Sequence, residues 1–318
     1  MLNFIYWPIS AILWFWHKVF SFVLDPGWGF TWVLSIIFLT FTIRLILVKP
    51  MVKQMRSSRK MQEMQPKLQA IREKYKNDQQ KMMEESRKVQ KEAGVNPLAG
   101  CIPVLVQVPV FFGLFHVLRS FNRTGTGVGQ LGLSFEENRN LPNYVFSVAD
   151  VNSFLDARIF GVPISAFIGM SEDMFQAFQP VDFSRWQIIL VAAPLILIIA
   201  AATHFNARMS IDRQKSRLAS GKQQAPSGEM MQNQMQMMNK MMLWFMPLTI
   251  LFTGFLWHLG LLFYMVTNNV WTFFQNRYIF DKMDREEDAE EAAKKAAART
   301  SAPKPGVRPA GAKKKKKK

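Results

Sequence analysis

The sequence predicts an all-α polytopic membrane protein, with a five-transmembrane-helix core, a cytoplasmic helical hairpin and an N-terminal interfacial helix. Three observations carry this. Apolar residues make up 49% of the 318, with 27 Phe and 9 Trp, yet the mean hydropathy is near zero. Apolar blocks must therefore alternate with very polar ones, as in a chain that crosses a bilayer between charged loops. The stretch Phe30–Lys49, FTWVLSIIFLTFTIRLILVK, carries a single charge, Arg44, between Thr31 and Val48. At a rise of 1.5 Å per residue, about 20 residues reach across the roughly 30 Å hydrocarbon core. Finally, the net charge of +17 is segregated into blocks that alternate in sign around the apolar segments.

Residues 1–26 are apolar and rich in Trp and Phe, interrupted by Pro8 and containing His17 and Lys18. Aromatics favour the headgroup layer, so this segment is read as a flat interfacial amphipathic helix rather than a span. It has no basic n-region and no AxA site, so a cleaved signal peptide is not expected. Asp25-Pro26-Gly27 breaks the chain before the first span, 27–49.

Residues 50–97 form the cytoplasmic hairpin. A polar helical pattern starts at Pro50, with Met61, Met64, Leu68, Ile71 and Tyr75 at steps of three and four. Asn77-Asp78 supplies a turn, and Met82, Val89 and Ala93 mark a second helix. The two stripes bury each other, and a soft Met-rich seam also suits adaptable contacts with varied partners.

The second span, 98–121, contains Gln107 and two internal prolines, Pro103 and Pro109, whose freed carbonyls need a neighbouring helix or water. Residues 122–185 form an extracytoplasmic loop. Within it ARIFGVPISAFIGM is broken by Gly161 and Pro163, and is read as an interfacial or re-entrant piece. The third span is 186–206. Residues 207–240 form a cytoplasmic Met-rich loop. Its Ser, Gly, Gln and Lys content predicts flexibility over about 207–229, and Met231, Met235, Met238 and Met242 share a helical face beyond. Residues 241–280 are too long for one span and are split near Gly260 into the fourth and fifth. The tail, 281–318, is an acidic, alanine-rich helix, a Pro/Gly linker and six lysines, Lys313–Lys318.

Orientation follows from counting basic residues. Residues 50–97 hold 12 basic and 6 acidic residues, 207–240 hold 6 and 2, and 277–318 hold 14 and 7, whereas 122–185 hold 4 and 7. Five spans put the three positive segments on one side and the negative one on the other. The N-terminus is then outside and the C-terminus cytoplasmic.

Much chemistry is excluded. A single cysteine, Cys101, rules out an internal disulfide and a cysteine-only metal site. His17, His116, His204 and His258 lack metal-ligand spacing and are read as packing or interface residues. No nucleophile elbow, Walker A or dinucleotide motif is present. No cofactor, no metal and no direct nucleic-acid specificity are expected, and the chain is not read as an enzyme.

Arg44 remains. A charge at membrane depth costs roughly 3 kcal/mol or more at the centre and marks a functional site by default. Three readings stay open: the side chain snorkels toward Lys49 and the interface, sits in a wet cavity, or pairs with something that arrives. None of the five spans contains Asp or Glu, so Arg44 has no carboxylate partner at depth within its own chain. Thr40, one turn earlier on the same face, and Gln107 from the second span extend the polar feature. The missing carboxylates count against proton- or sodium-coupled transport. A small-solute channel or transporter and a structural scaffold are the alternatives to a protein-handling role.

Four motifs together carry a resemblance: GFTWVLSIIFLTFTIRLILVKP, MQPKLQAIREKYKND, GVNPLAGCIPVLVQVPVFFGLF, and WFMP with the later YMVTNNVWTFFQ. They resemble the YidC-type membrane protein insertases of bacteria, over roughly residues 27–121 and 186–280. The resemblance implies a multi-pass protein of the plasma membrane with a cytoplasm-facing hydrophilic groove. It implies insertion and folding of nascent membrane-protein clients, alone or with the Sec translocon, without ATP or metal. Arg44 matches the groove arginine and Thr40 the groove threonine. Tyr264 and Met265 fall where the family has a substrate-contacting aromatic pair, the second aromatic being absent here. Trp257-His258-Leu259-Gly260 departs from the family's usual Phe-Pro-Ser-Gly. The large extracytoplasmic domain of some members is lacking. The basic tail is similar to those that reach ribosomes, and attraction to anionic lipids is the other reading of it.

Overall fold

The computed structural model describes residues 3–94, 102–125, 131–178, 180–223 and 229–301. The first residues of the predicted second span, 98–101, the middle of the predicted flexible loop, 224–228, and the Pro/Gly linker with its lysines lie outside these. The chain is mostly helical. Three stretches among the described residues, Gly29–Glu63, Arg185–Ala219 and Gln232–Leu256, are long and apolar enough to cross a membrane. Contacts divide the chain at Phe274: residues 1–273 form the body, and residues 274–318 form a separate unit.

Helix α1, Asn3–Ser21, packs on α2, Gly29–Glu63, and on α5, Ile102–Arg119. Ile9 and Leu13 are its buried apolar anchors, while Phe4, Trp7, Trp14 and Phe15 on the other faces are exposed. The first span was expected to give way to a separate helix at Pro50, but α2 runs through it to Glu63. Proline removes one helical hydrogen bond, here to the carbonyl of Ile46, where the side chains are already exposed. The helix ends instead just ahead of Pro66, which has no N–H to give the Gln62 carbonyl and sits in the first turn of the next helix. Met64 forms that joint, and α3, Gln65–Lys74, follows. The turn around Asn77-Asp78 falls where expected: Asp78 caps α4, Gln79–Glu92, by accepting from Lys81 N at 3.0 Å, and α3 and α4 pack together.

The predicted flexible stretch after residue 207 is corrected: α8, Arg185–Ala219, continues through it, with Ala207, Ile211 and Arg217 buried. Its Arg, Gln, Lys, Leu and Ala are good helix formers, and no glycine intervenes before Gly221. Helix α9, Glu229–Lys240, passes through one π turn, Met241–Phe245, into α10, Met246–Thr253. The Leu243 carbonyl in that turn accepts from Nδ1 of His204 at 2.9 Å. The break between the last two apolar helices lies at Trp257-His258, slightly before Gly260. From there α11 runs from Leu259 to Ser301 without a boundary at residue 281.

Residues 157–170, read as an interfacial or re-entrant piece, open on a two-stranded hairpin rather than a helix. The described residues of 122–185 form a cap with two short helices, α6 (Phe135–Arg139) and α7 (Val148–Asp156), a 3-10 turn (Glu172–Ala177) and a minimal antiparallel hairpin. The hairpin pairs β1, Arg158–Ile159, with β2, Val162–Pro163. Ile159, Val162, Ile164 and Ala166 are fully buried. Backbone bonds then tie the cap to the α10–α11 corner: Gly169 N to Phe255 O (2.8 Å), Leu259 N to Ala166 O (3.0 Å) and Gly260 N to Ile164 O (2.9 Å). A buried corner without a helical ladder needs such partners.

Trp32, 0% exposed, centres the core where α2 meets the cap. The rings of Phe121, Phe146 and Phe154 lie 5.8, 5.8 and 4.9 Å away, and Nε1 donates to Ser153 Oγ at 3.1 Å. On its other side the His17 ring stacks at 3.8 Å. Burial holds His17 below the usual imidazole range, so Nε2–H donates to the Pro26 carbonyl at 3.0 Å. Next to it Lys18 Nζ meets Asp150 Oδ1 at 2.7 Å. Burial pushes the Asp150 carboxyl up, but the Lys18 ammonium and the hydroxyl and N–H of Ser147 outweigh it and hold it below its ordinary value.

Both groups are depressed relative to the unfolded chain, so both stabilise the fold above their unfolded values and lose that as pH falls. Thermal unfolding in detergent should therefore weaken from about pH 6.5, as unfolded His17 gains protons, and again below about pH 4 as Asp150 does. Asp150→Asn should shrink the second step, which Glu137 and Asp78 share, and leave the first.

Candidate functional site

The apolar helix α2 carries Arg44 into the body, where the side chain is 6% exposed. Its guanidinium meets α11. Nε and Nη2 donate to Asn268 Oδ1 at 2.9 and 2.5 Å, and Nη2 donates to Thr272 Oγ1 at 3.0 Å. Every partner is neutral, and Nη1 makes no hydrogen bond among the described residues. One edge of the guanidinium fork is thus held by an amide and a hydroxyl, leaving Nη1 as a donor for an anion.

Asn268 and Thr272 are one and two turns beyond Tyr264, so Tyr264, Asn268 and Thr272 form one face of α11. Tyr264 is buried, and its hydroxyl accepts from Gln107 Nε2 on α5 at 2.7 Å. Tyr264 and Arg44 lie within electrostatic range of each other. The structure thus brings Arg44, Gln107 and Tyr264 to the junction of α2, α5 and α11. Gln107 serves the tyrosine rather than the arginine.

Thr40 is buried one turn from Arg44, but its hydroxyl donates to the Ile36 carbonyl of its own helix at 2.7 Å. That bond satisfies the hydroxyl without a partner helix. Met265 is half-buried against the core, and its carbonyl accepts from Asn269 Nδ2 at 2.9 Å. Sequence reasoning missed Asn268 and Thr272, although the run YMVTNNVWTFFQ contains both. Their i+4 and i+8 spacing from Tyr264 is the signal that finds them. Asn269, the neighbour of Asn268, is turned about 100° further round the helix and links α11 to α8, where Thr203 Oγ1 donates to its Oδ1 at 3.2 Å and Asn206 Nδ2 to its carbonyl at 3.1 Å. Asn268 and Asn269 therefore join α11 to α2 and to α8 from adjacent positions.

No group of three His, Cys, Asp or Glu among the described residues is placed to hold a metal. The histidines serve packing: His116 stacks on Tyr6 at 4.1 Å and meets the Tyr144 hydroxyl at 2.7 Å, and His258 is buried between Phe115 and Phe167.

Residues 23–287 match the family model described as 60Kd inner membrane protein. Among curated proteins, the chain is 46% identical over 308 residues to the membrane protein insertase YidC of Mycobacterium tuberculosis, covering 97% of this chain and 80% of that one. It is 44% identical to the protein of the same name from Mycolicibacterium paratuberculosis, covering 97% of this chain and 83% of that one. To the one from Streptomyces avermitilis it is 31% identical, over 88% of this chain and 58% of that one.

Proposed function

The chain belongs to the 60Kd inner membrane protein family, and from that premise we propose that it is a membrane protein insertase and chaperone of the bacterial plasma membrane. It inserts and helps to fold integral membrane proteins, alone or with the Sec translocon, by way of a cytoplasm-open hydrophilic groove built around Arg44. The body crosses the bilayer five times, through α2, α5, α8, the α9–α10 run and the first half of α11, with the N-terminus outside and α1 lying flat.

The observation that carries this reading is the pairing of Arg44. A guanidinium held by Asn268 and Thr272 alone keeps its charge uncompensated, and its Nη1 edge is available. Insertion is costly because a client's polar segment must pass a low-dielectric slab. Acidic side chains in that segment displace the neutral ligands and pair with Arg44, which lowers the cost at the deepest point. The client's apolar helix then leaves sideways into lipid. Hydrophobic transfer drives that step, and for segments of the right sign so does the membrane potential, about 2.3 kcal/mol per charge per 100 mV. The α3–α4 pair and the Met-rich start of α9 receive the client first. The basic tail reaches ribosomes or anionic lipids.

Photo-crosslinkers placed at Gln107, in the polar junction, and at the outward-facing Phe252 test the path in vesicles translating a single-span client. Capture at Gln107 during insertion supports the groove. Capture confined to Phe252 sinks it.

A further inference from the structure

The two-residue turn of the β1–β2 hairpin is Phe160-Gly161, and both residues have left-handed backbone, φ 50° and 80°. This is the geometry that favours Asn-Gly, and a bulky aromatic at the first position is strained there. Phe160 is nevertheless 76% exposed, so its ring gains little inside the protein; an edge-on approach to Phe30 at 6.1 Å is its only ring contact among the described residues. The strain is offset elsewhere.

Where the tip sits says by what. Gly29 opens α2, and a Cβ on it would stand 2.1 Å from the Arg158 carbonyl, so the hairpin is pressed against the first turn of that helix. Phe160 is thereby fixed level with Trp28 and Phe30, both substantially exposed, where the uninterrupted apolar run begins. Arg158 runs back to the start of α8 through Asp182 (3.0 Å) and the Pro180 carbonyl (3.0 Å), close in sequence to the exposed Trp186. Trp28, Phe30, Phe160 and Trp186 thus mark the start of two apolar helices on the side that bears residues 122–185. Aromatic side chains at that depth favour the interface between headgroups and acyl chains.

We propose that Phe160 is a membrane anchor: the hairpin tip inserts its ring into the interfacial layer of the outer leaflet and holds the cap against the bilayer. The anchor rests on the reading of α2 and α8 as membrane spans. The cap segment is net acidic and Arg158 is paired, so the attraction is apolar and independent of lipid charge.

The test uses single cysteines in a Cys101→Ala background, labelled with a polarity-sensitive fluorophore and reconstituted in vesicles containing brominated lipids. The label at Phe160→Cys should emit blue-shifted light and be quenched more by lipid brominated near the headgroup than near the chain end, equally in neutral and anionic vesicles. A label at Leu197→Cys, exposed midway along the apolar part of α8, should be quenched most by deep bromines, and one at the exposed Glu136→Cys should not be quenched. Leu197 quenched as stated, with a water-like, unquenched Phe160 label, overturns the anchor and leaves the spans standing. Quenching at Phe160 that requires anionic lipid also overturns it. Failure at Leu197 overturns the span reading itself.

Discussion

Arg44→Leu should slow insertion of a client with an acidic translocated segment by about ten- to a hundredfold, while a client with a neutral segment changes little. A hydrogen bond to a charged group is worth about 1.5–3 kcal/mol, and each 1.4 kcal/mol is tenfold. Stability behaves differently. Leucine removes a buried charge, which by itself is neutral or stabilising, but it strands Asn268 Oδ1 in the interior at about 1–3 kcal/mol. The double variant Arg44→Leu/Asn268→Leu should therefore recover stability in detergent and remain as defective in insertion. If it recovers insertion too, the arginine serves packing and the proposed mechanism falls. Asn268→Leu alone leaves the guanidinium with Thr272 as its remaining partner and should be the least stable of the three.

Trp32→Ala is expected to destabilise the body by about 3–5 kcal/mol. The indole fills the space between Phe121, Phe146, Phe154 and His17, and it comes from a different element than any of them. Its loss leaves a cavity where α1, α2 and the cap converge, and it removes the hydrogen bond to Ser153, whose hydroxyl keeps its bond to the Pro26 carbonyl. Chemical denaturation in mixed micelles measures the loss. Trp32→Phe, which keeps a ring, should cost less than half as much. Equal costs for the two variants would mean that the hydrogen bond, not the volume, carries the effect.

The apolar blocks and the lone Arg44 were legible because charge and hydropathy act at the level of whole segments. The turn at Asn77-Asp78 and the break near Gly260 were legible from local backbone chemistry. Three features were not. Asn268 and Thr272 are neutral, sit in an apolar run and reveal their role only when α2 supplies the guanidinium from 224 residues away along the chain. Composition misled at 207–219, where Ser, Gln and Lys suggested a loop though each is acceptable in a helix. The cap was illegible for a third reason: strands of two residues have no period to read, and the segment that follows them bonds to a helix corner far along the chain. The match to the 60Kd inner membrane protein family joins residues 23–287 into one unit. It leaves the individual side chains to be argued from geometry.

The three backbone bonds from residues 164–169 to the α10–α11 corner staple together two stretches that lie far apart along the chain. Their amides should be among the slowest in the molecule to exchange with heavy water.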